Sequence, residues 1–250
     1  MVGLLGAALA VALAVCSIAS AGAPTIEFRV VADYPHDPNA FTQGLVFHDG
    51  ALYESTGRRG RSSLREVDPT TGRVLRQRDL ADTVFAEGLA IDGEFAVQVT
   101  WTSGRAFVYR LDDFSLERIH RYKGEGWGLA SQDGRLVMSD GSSILKFRDP
   151  LTFDVVAELE VKDGGRPVSA LNELEAANGV LFANIWRSNR IARIDPITGD
   201  VTGWLDIRAL VDRERTRGKI DVANGIAWDG SHLLVTGKLW TRVYALELLN

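Results

Sequence analysis

The chain has 250 residues, a net charge of −5 and a single cysteine, Cys16. Scattered rather than blocked arginines remove the electrostatic footprint of a nucleic-acid-binding protein, and one thiol excludes a disulfide scaffold. The length suits one large domain that buries its own core without staples.

In chain order, the first 23 residues carry no charge, and Val2 to Val15 are almost wholly apolar. Ala19-Ser20-Ala21-Gly22-Ala23 then offers the small residues a signal peptidase accepts. Residues 1–23 therefore read as a secretory signal and 24–250 as one domain, exported to a periplasm or the medium and not membrane-associated after cleavage. Two other readings compete. A membrane anchor needs an apolar run of about 20 residues. Lipid attachment at Cys16 would have to accept the bulky Val15 before it. If the signal is cleaved, Cys16 leaves with it, and the mature chain has neither a disulfide nor thiolate chemistry.

The strand Thr25–Val31 comes next, followed by a unit that occurs five times. Each copy has a residue followed by Gly-Leu or a similar pair, an apolar stretch, a tight turn and a second alternating stretch. The copies start at Gln43, Glu87, Trp127, Asn172 and Asn224, with turns such as Asp49-Gly50, Asp133-Gly134 and Asn178-Gly179. A third strand follows, ending in Asp68-Pro69-Thr70-Thr71-Gly72, Asp195-Pro196-Ile197-Thr198-Gly199, or the partial version Asp149-Pro150-Leu151-Thr152. A fourth is exemplified by Arg73–Gln77. Four strands in about 40–45 residues is the signature of a propeller blade. The last copy runs out of chain after its third strand, and Thr25–Val31 can complete it. The fold class is all-β: a five-bladed β-propeller closed by its N-terminal strand, which removes two open sheet edges. Residues 207–217 read as a short helical insertion before the fifth blade.

The repeat register points to a site. First strands line a propeller's channel, so the first positions form a ring: Gln43, Glu87, Trp127, Asn172 and Asn224. The positions 14 residues later, Gly57, Trp101, Gly141, Trp186 and Lys238, form a second ring at the same rim, because the two strands are antiparallel. Phe41 and Phe85 precede the first ring by two residues and can wall it. An aromatic concavity with a few convergent polar groups is the usual form of a small-ligand site. Tryptophans at blade ends are often plugs, and Asn before Gly is often turn chemistry. A role shared by all blades would select one residue type, however, and these positions differ from blade to blade.

At these residues the sequence resembles the plant and bacterial, papaya-like type of glutaminyl-peptide cyclotransferase. The matching segments are Phe41-Thr42-Gln43-Gly44-Leu45, Tyr53-Glu54-Ser55-Thr56-Gly57, Phe85-Ala86-Glu87-Gly88-Leu89, Gly126-Trp127-Gly128-Leu129, Leu171-Asn172-Glu173-Leu174-Glu175, Ala183-Asn184-Ile185-Trp186, Asn224-Gly225-Ile226-Ala227 and Gly237-Lys238-Leu239-Trp240. They span all five blades. The resemblance implies a five-bladed propeller that converts N-terminal Gln of peptides or proteins to pyroglutamate with loss of ammonia. The family's active-site residues match Gln43, Glu87, Trp101, Trp127, Asn172, Trp186 and Lys238. Thr241 departs from the pattern, since relatives often carry Pro there. No relation to zinc-dependent cyclases is implied, and the four scattered His agree.

On this reading Glu87, the only acid in either ring, moves the proton, and Asn172 and Lys238 stabilise the oxyanion. Gln43, Trp101, Trp127, Trp186, Phe41 and Phe85 hold the substrate, while Asn224 is left to the backbone turn. No cofactor or catalytic metal is expected. A structural Ca²⁺ in the channel is compatible with the sequence, which locates no ligands for it. The protein is expected to be a monomer. Two alternatives remain: a metal-dependent lactonase-like hydrolase caging Ca²⁺ with Glu87, Asn172 and Asn224, and a non-catalytic propeller scaffold for a protein partner.

Overall fold

The computed structural model describes residues 22–249, so the proposed signal segment up to Ala21 and Cys16 lie outside the described residues. Alternating apolar strands joined by tight turns form five antiparallel four-stranded sheets. The first comprises Thr42–His48, Ala51–Thr56, Ser63–Val67 and Val74–Asp79; the second Ala86–Asp92, Phe95–Thr100, Arg105–Arg110 and Leu116–Arg121. The third runs through Leu129–Gln132, Arg135–Met138, Ile144–Arg148 and Val155–Glu160; the fourth through Leu171–Ala177, Val180–Ile185, Arg190–Ile194 and Val201–Asp206. The fifth takes Ala223–Trp228, Leu233–Gly237 and Arg242–Leu248 from the end of the chain and Phe28–Pro35 from its beginning. The Asp49-Gly50, Asp133-Gly134 and Asn178-Gly179 turns have positive φ at both residues, the hairpin geometry that this residue pairing favours.

Apolar packing lies between neighbouring blades. Leu64, Leu89 and Phe107 join the first to the second, Val97, Leu129 and Leu136 the second to the third, and Leu145, Leu174 and Ala183 the third to the fourth. Ile191, Ile226 and Trp240 join the fourth to the fifth, and Leu45, Leu234 and Ala245 close the fifth onto the first. Each leucine or isoleucine side chain buried fully in this way contributes about 1.5–3 kcal/mol.

The closing strand differs from the expectation. It starts at Phe28 and runs to Pro35, three residues later than Thr25, with a bulge between Val30 and Ala32. Thr25 instead bridges Trp204 on the fourth blade, and Ile26 N donates to Trp204 O at 2.8 Å. Ile26 fills the space above Gly203, and this anchoring takes residues 24–26 away from the fifth sheet. The segment therefore bridges two blades, which a periodicity reading of 25–31 does not reveal. A short hairpin of Lys162–Asp163 and Arg166–Pro167 lies outside the repeat pattern.

Inner strands approach one another closely at the axis. A Cβ on Gly44 would lie 2.5 Å from Leu89 N, and one on Gly88 would lie 2.4 Å from Leu129 N. The fourth blade carries Glu173 at this position, and its side chain fills the channel. Its carboxylate accepts from Leu45 N at 3.2 Å and Ile226 N at 2.8 Å, tying the fourth blade to the first and fifth. Burial pushes the Glu173 carboxyl well up, and neighbouring Glu175 adds to this. Burial likewise pushes Glu175 up to about 8 from 4.5. The native state then keeps a proton that the unfolded chain releases, so this contribution to stability falls as pH rises between those values. Glu175→Gln should therefore raise Tm at about pH 8.5 and leave it nearly unchanged at about pH 4, which thermal melts at the two pH values would check.

Candidate active site

The rim residues sit where the inner strands break register. Strand pairing shifts between Thr42 and Gly44, Ala86 and Leu89, Leu171 and Leu174, and Ala223 and Ile226. Gln43, Glu87, Asn172 and Asn224 all lie within these bulges, which re-aim side chains away from the regular pleat. In the third blade the strand proper begins only at Leu129, leaving Trp127 on the preceding loop.

A cavity of about 290 Å³ opens at this rim, lined by Phe41, Gln43, Phe85, Glu87, Trp101, Trp127, Asn172, Trp186 and Lys238. Gln43, Glu87, Trp127 and Asn172 of the first ring, Trp101, Trp186 and Lys238 of the second, and both wall phenylalanines therefore converge. Gly57 and Gly141, the remaining members of the second ring, leave room for their neighbours. A Cβ on Gly57 would lie 2.5 Å from the Phe85 ring, and one on Gly141 would lie 2.8 Å from the Trp127 indole.

The walls form two aromatic arcs. Phe41, Phe85 and Trp101 follow one another edge to face, with centroids 6.2 and 5.6 Å apart, and Trp127 meets Trp186 at 5.5 Å. Trp186, 40% exposed, forms the outer lip.

Glu87 is 6% exposed. Gln43 Nε2 donates to its Oε1 at 2.8 Å, and Ser55 Oγ donates to its backbone carbonyl at 2.5 Å. Burial pushes the carboxyl well above the ordinary carboxylate range; Lys238 opposes this and Glu125 reinforces it. Lys238 is 5% exposed, with its ammonium 5.0 Å above the Phe41 ring. Burial pulls its pKa down, against the pull of Glu87 and Asp221. Unlike Lys146 and Lys162, which pair with Asp140 and Glu160, Lys238 belongs to no ion pair among the described residues.

The helix Arg208–Arg217, the one helix among the described residues, ties down the segment that follows Lys238. Its fully buried Glu214 accepts from Thr241 N at 2.6 Å, Thr241 Oγ1 at 2.9 Å and Tyr244 OH at 2.6 Å. Proline at 241 could not donate the first of these bonds, so the departure at Thr241 belongs to this clasp. On the other side His36 Nδ1 meets Trp240 O at 2.8 Å and His36 Nε2 meets Glu54 Oε1 at 3.0 Å. Burial works against protonation of His36, but the Glu54 carboxylate outweighs it and raises the pKa.

Two expectations change. Asn224 does more than serve a turn: its Nδ2 donates to Thr42 O at 3.0 Å and to Gln43 Oε1 at 3.4 Å, so it orients the amide that holds Glu87. It does not line the cavity. Gln43 is accordingly engaged with Glu87. Sequence reasoning also missed Glu125, whose Oε2 accepts from both Trp101 Nε1 and Trp127 Nε1 at 2.8 Å. It occupies the position two residues before the first ring, where the earlier copies carry Phe41 and Phe85; reading that third ring through would have found it. Asn172 is buried, and its backbone carbonyl is held by Ser139 Oγ at 2.6 Å. Among the described residues no group of three or more His, Cys, Asp or Glu side chains is disposed to hold a metal ion. No helix among them is long and apolar enough to cross a membrane.

Residues 4–248 match the family model described as glutamine cyclotransferase. A glutaminyl-peptide cyclotransferase of Arabidopsis thaliana is 44% identical over 229 residues, covering 89% of this chain and 71% of that protein. The crystal structure of Myxococcus xanthus glutaminyl cyclase superposes with a TM-score of 0.85 at 41% identity, over 91% of this chain and 100% of that one.

Proposed function

The chain belongs to the glutamine cyclotransferase family, and we propose how its rim cavity carries out the family's reaction, with Glu87 as the proton carrier. The activity is glutaminyl-peptide cyclotransfer: the α-amine of an N-terminal Gln attacks the Cδ of its own side-chain carboxamide. A C–N bond closes the five-membered lactam, and the original amide nitrogen leaves as ammonia. The observation that carries the assignment is one proton-loving carboxyl, Glu87, buried within an aromatic slot beside an amide and an ammonium.

In this reading the indoles of Trp101, Trp127 and Trp186 and the rings of Phe41 and Phe85 press the substrate side chain back toward its own amine. Holding such a near-attack conformer replaces an entropy cost that free peptide meets on every attempt. Glu87 takes a proton from the attacking amine and returns it to the departing nitrogen, so it is regenerated each turn. A carboxyl held above its usual range suits both halves of that task near neutral pH. Asn172 and Lys238 face the carbonyl oxygen as it gains charge. Gln43, oriented by Asn224, keeps Glu87 aimed. All the lining residues come from one ring of blades, so a single chain suffices, and side chains alone supply the chemistry. We also read the chain as exported, on the strength of the uncharged segment 1–23.

Incubation of purified protein with a Gln-initiated peptide is expected to release ammonia at the same rate with and without a chelator. No release, or release that stops on chelation, would overturn the assignment. Asn172→Ala is expected to lower kcat by roughly a hundredfold, as loss of an oxyanion donor does, with a smaller rise in KM. Steady-state kinetics showing the opposite split would make Asn172 a ground-state binder.

A further inference from the structure

Glu125 is absent from the cavity lining yet touches two residues that form it. Trp101 ends the arc that runs from Phe41 through Phe85, and Trp127 begins the arc that continues to Trp186. The two arcs belong to different blades. A single carboxylate oxygen, Glu125 Oε2, accepts both indole N–H groups, each at 2.8 Å. Its loop is itself anchored to the second blade. Gly126 N donates to Trp101 O at 3.2 Å, and Tyr122 OH accepts from Thr100 N at 3.0 Å while donating to Thr100 O at 2.5 Å. The Tyr122 hydroxyl fills the space that a side chain on Gly126 would need, since a Cβ there would lie 2.4 Å from it.

We propose that Glu125 is a positioning residue that joins the two aromatic arcs into one wall and so fixes the gap between Trp101 and Trp127 into which the substrate's side chain folds. The inference rests on the reading of this cavity as the cyclisation site. Bonds from a neutral N–H to an ionised acceptor are shorter and stronger than neutral pairs, and here two share one atom. Without them two half-buried indoles lose their acceptors, and the arcs are free to shift relative to one another. A displacement of about 1 Å in such a wall costs up to a hundredfold in rate. The same charge reinforces the proton affinity of Glu87. Glu125 therefore has two separable effects, one through its hydrogen bonds and one through its charge.

Two substitutions divide them. Glu125→Gln keeps an oxygen for both indoles and removes the charge; Glu125→Ala removes both. In the folded full chain, the indole N–H resonances of Trp101 and Trp127, assigned by Trp→Phe variants, should remain nearly in place in Glu125→Gln and move upfield in Glu125→Ala. For Glu125→Ala kcat/KM should fall by roughly ten- to a hundredfold, with kcat lowered as well as KM raised. Glu125→Gln should keep KM within about twofold and shift the acidic limb of the kcat profile to lower pH, because a repelling charge near Glu87 is gone. Unmoved indole resonances in Glu125→Ala would overturn the clamp, and so would an equal KM rise in both variants. The resonances do not depend on turnover, so failure of the cyclisation reading itself would appear separately, as wild-type protein inert toward Gln-initiated peptides.

Discussion

Glu87→Gln is expected to leave the propeller folded and to lower kcat by about a hundredfold or more, the usual worth of a positioned proton carrier. The substitution is nearly isosteric. Gln43 Nε2, which donates to Glu87 Oε1 at 2.8 Å, would find a carbonyl oxygen in the same place. Ser55 would keep its bond to the backbone carbonyl. What disappears is the ability to accept a proton and give it back. Stability should not suffer, since burial already disfavours the ionised form of Glu87 and a neutral amide avoids that cost. Single-turnover ammonia release and a thermal melt on the same sample provide the test. A variant with an intact melt and an unchanged rate would remove Glu87 from the chemistry. A variant with a collapsed melt would instead make it a structural plug. Substrate affinity, measured with a slow-reacting analogue, is expected to change little, because the aromatic wall remains.

The site was legible in the sequence because a propeller converts register into geometry. Once Asp49-Gly50 and Asn178-Gly179 were aligned as equivalent turns, equivalent positions had to meet around one axis, and the cavity-lining residues follow from that. Interactions that cross the repeat were less legible. Glu125 acts through two side chains on neighbouring blades, and nothing in its immediate sequence marks it. Glu214 lies in an insertion that no other blade has, so no alignment of copies could assign its hold on Thr241. The partners of Asn224 lie about 180 residues away in sequence and become neighbours only when the ring closes. The closing strand starts later than its alternation suggests for a related reason. Thr25-Ile26 alternates like a strand, but its pairing partner is Trp204 of the fourth blade. The periodicity of a segment reports that one face is buried and does not report against what.

Gly128→Ala should be among the most damaging single-methyl additions in the protein. A Cβ at this position would lie 2.0 Å from the carbonyl oxygen of Asn172 and 2.9 Å from Glu173 Cα, and these are backbone atoms of the next blade, not the end of a flexible side chain. The neighbouring strands cannot separate locally, because Ser139 Oγ accepts from Gly128 N at 2.7 Å and donates to Asn172 O at 2.6 Å, stapling the two strands at the point of collision. Overpacking ordinarily costs about 1–3 kcal/mol, and a backbone obstacle places this case at or above the upper end. For a domain of this size that corresponds to a Tm lower by roughly 6–12 °C. The functional loss should exceed the stability loss. Relief of the clash displaces Asn172, the proposed oxyanion donor, and the loop that carries Trp127, so kcat should fall even where the protein is fully folded. Gly134 is the control. It lies in the turn of the same blade with φ +71 and nothing within 4 Å of its Cβ position, so Gly134→Asn, a residue type that tolerates positive φ, should cost only about 1 kcal/mol of backbone strain and leave kcat untouched. If the two variants lost similar stability and activity, the close approach of inner strands would not be what places Asn172 at the mouth. A large kcat loss confined to Gly128→Ala would identify strand spacing at the axis as the feature that sets the catalytic geometry, because the two substitutions differ in what the added atoms meet and not in the blade that carries them.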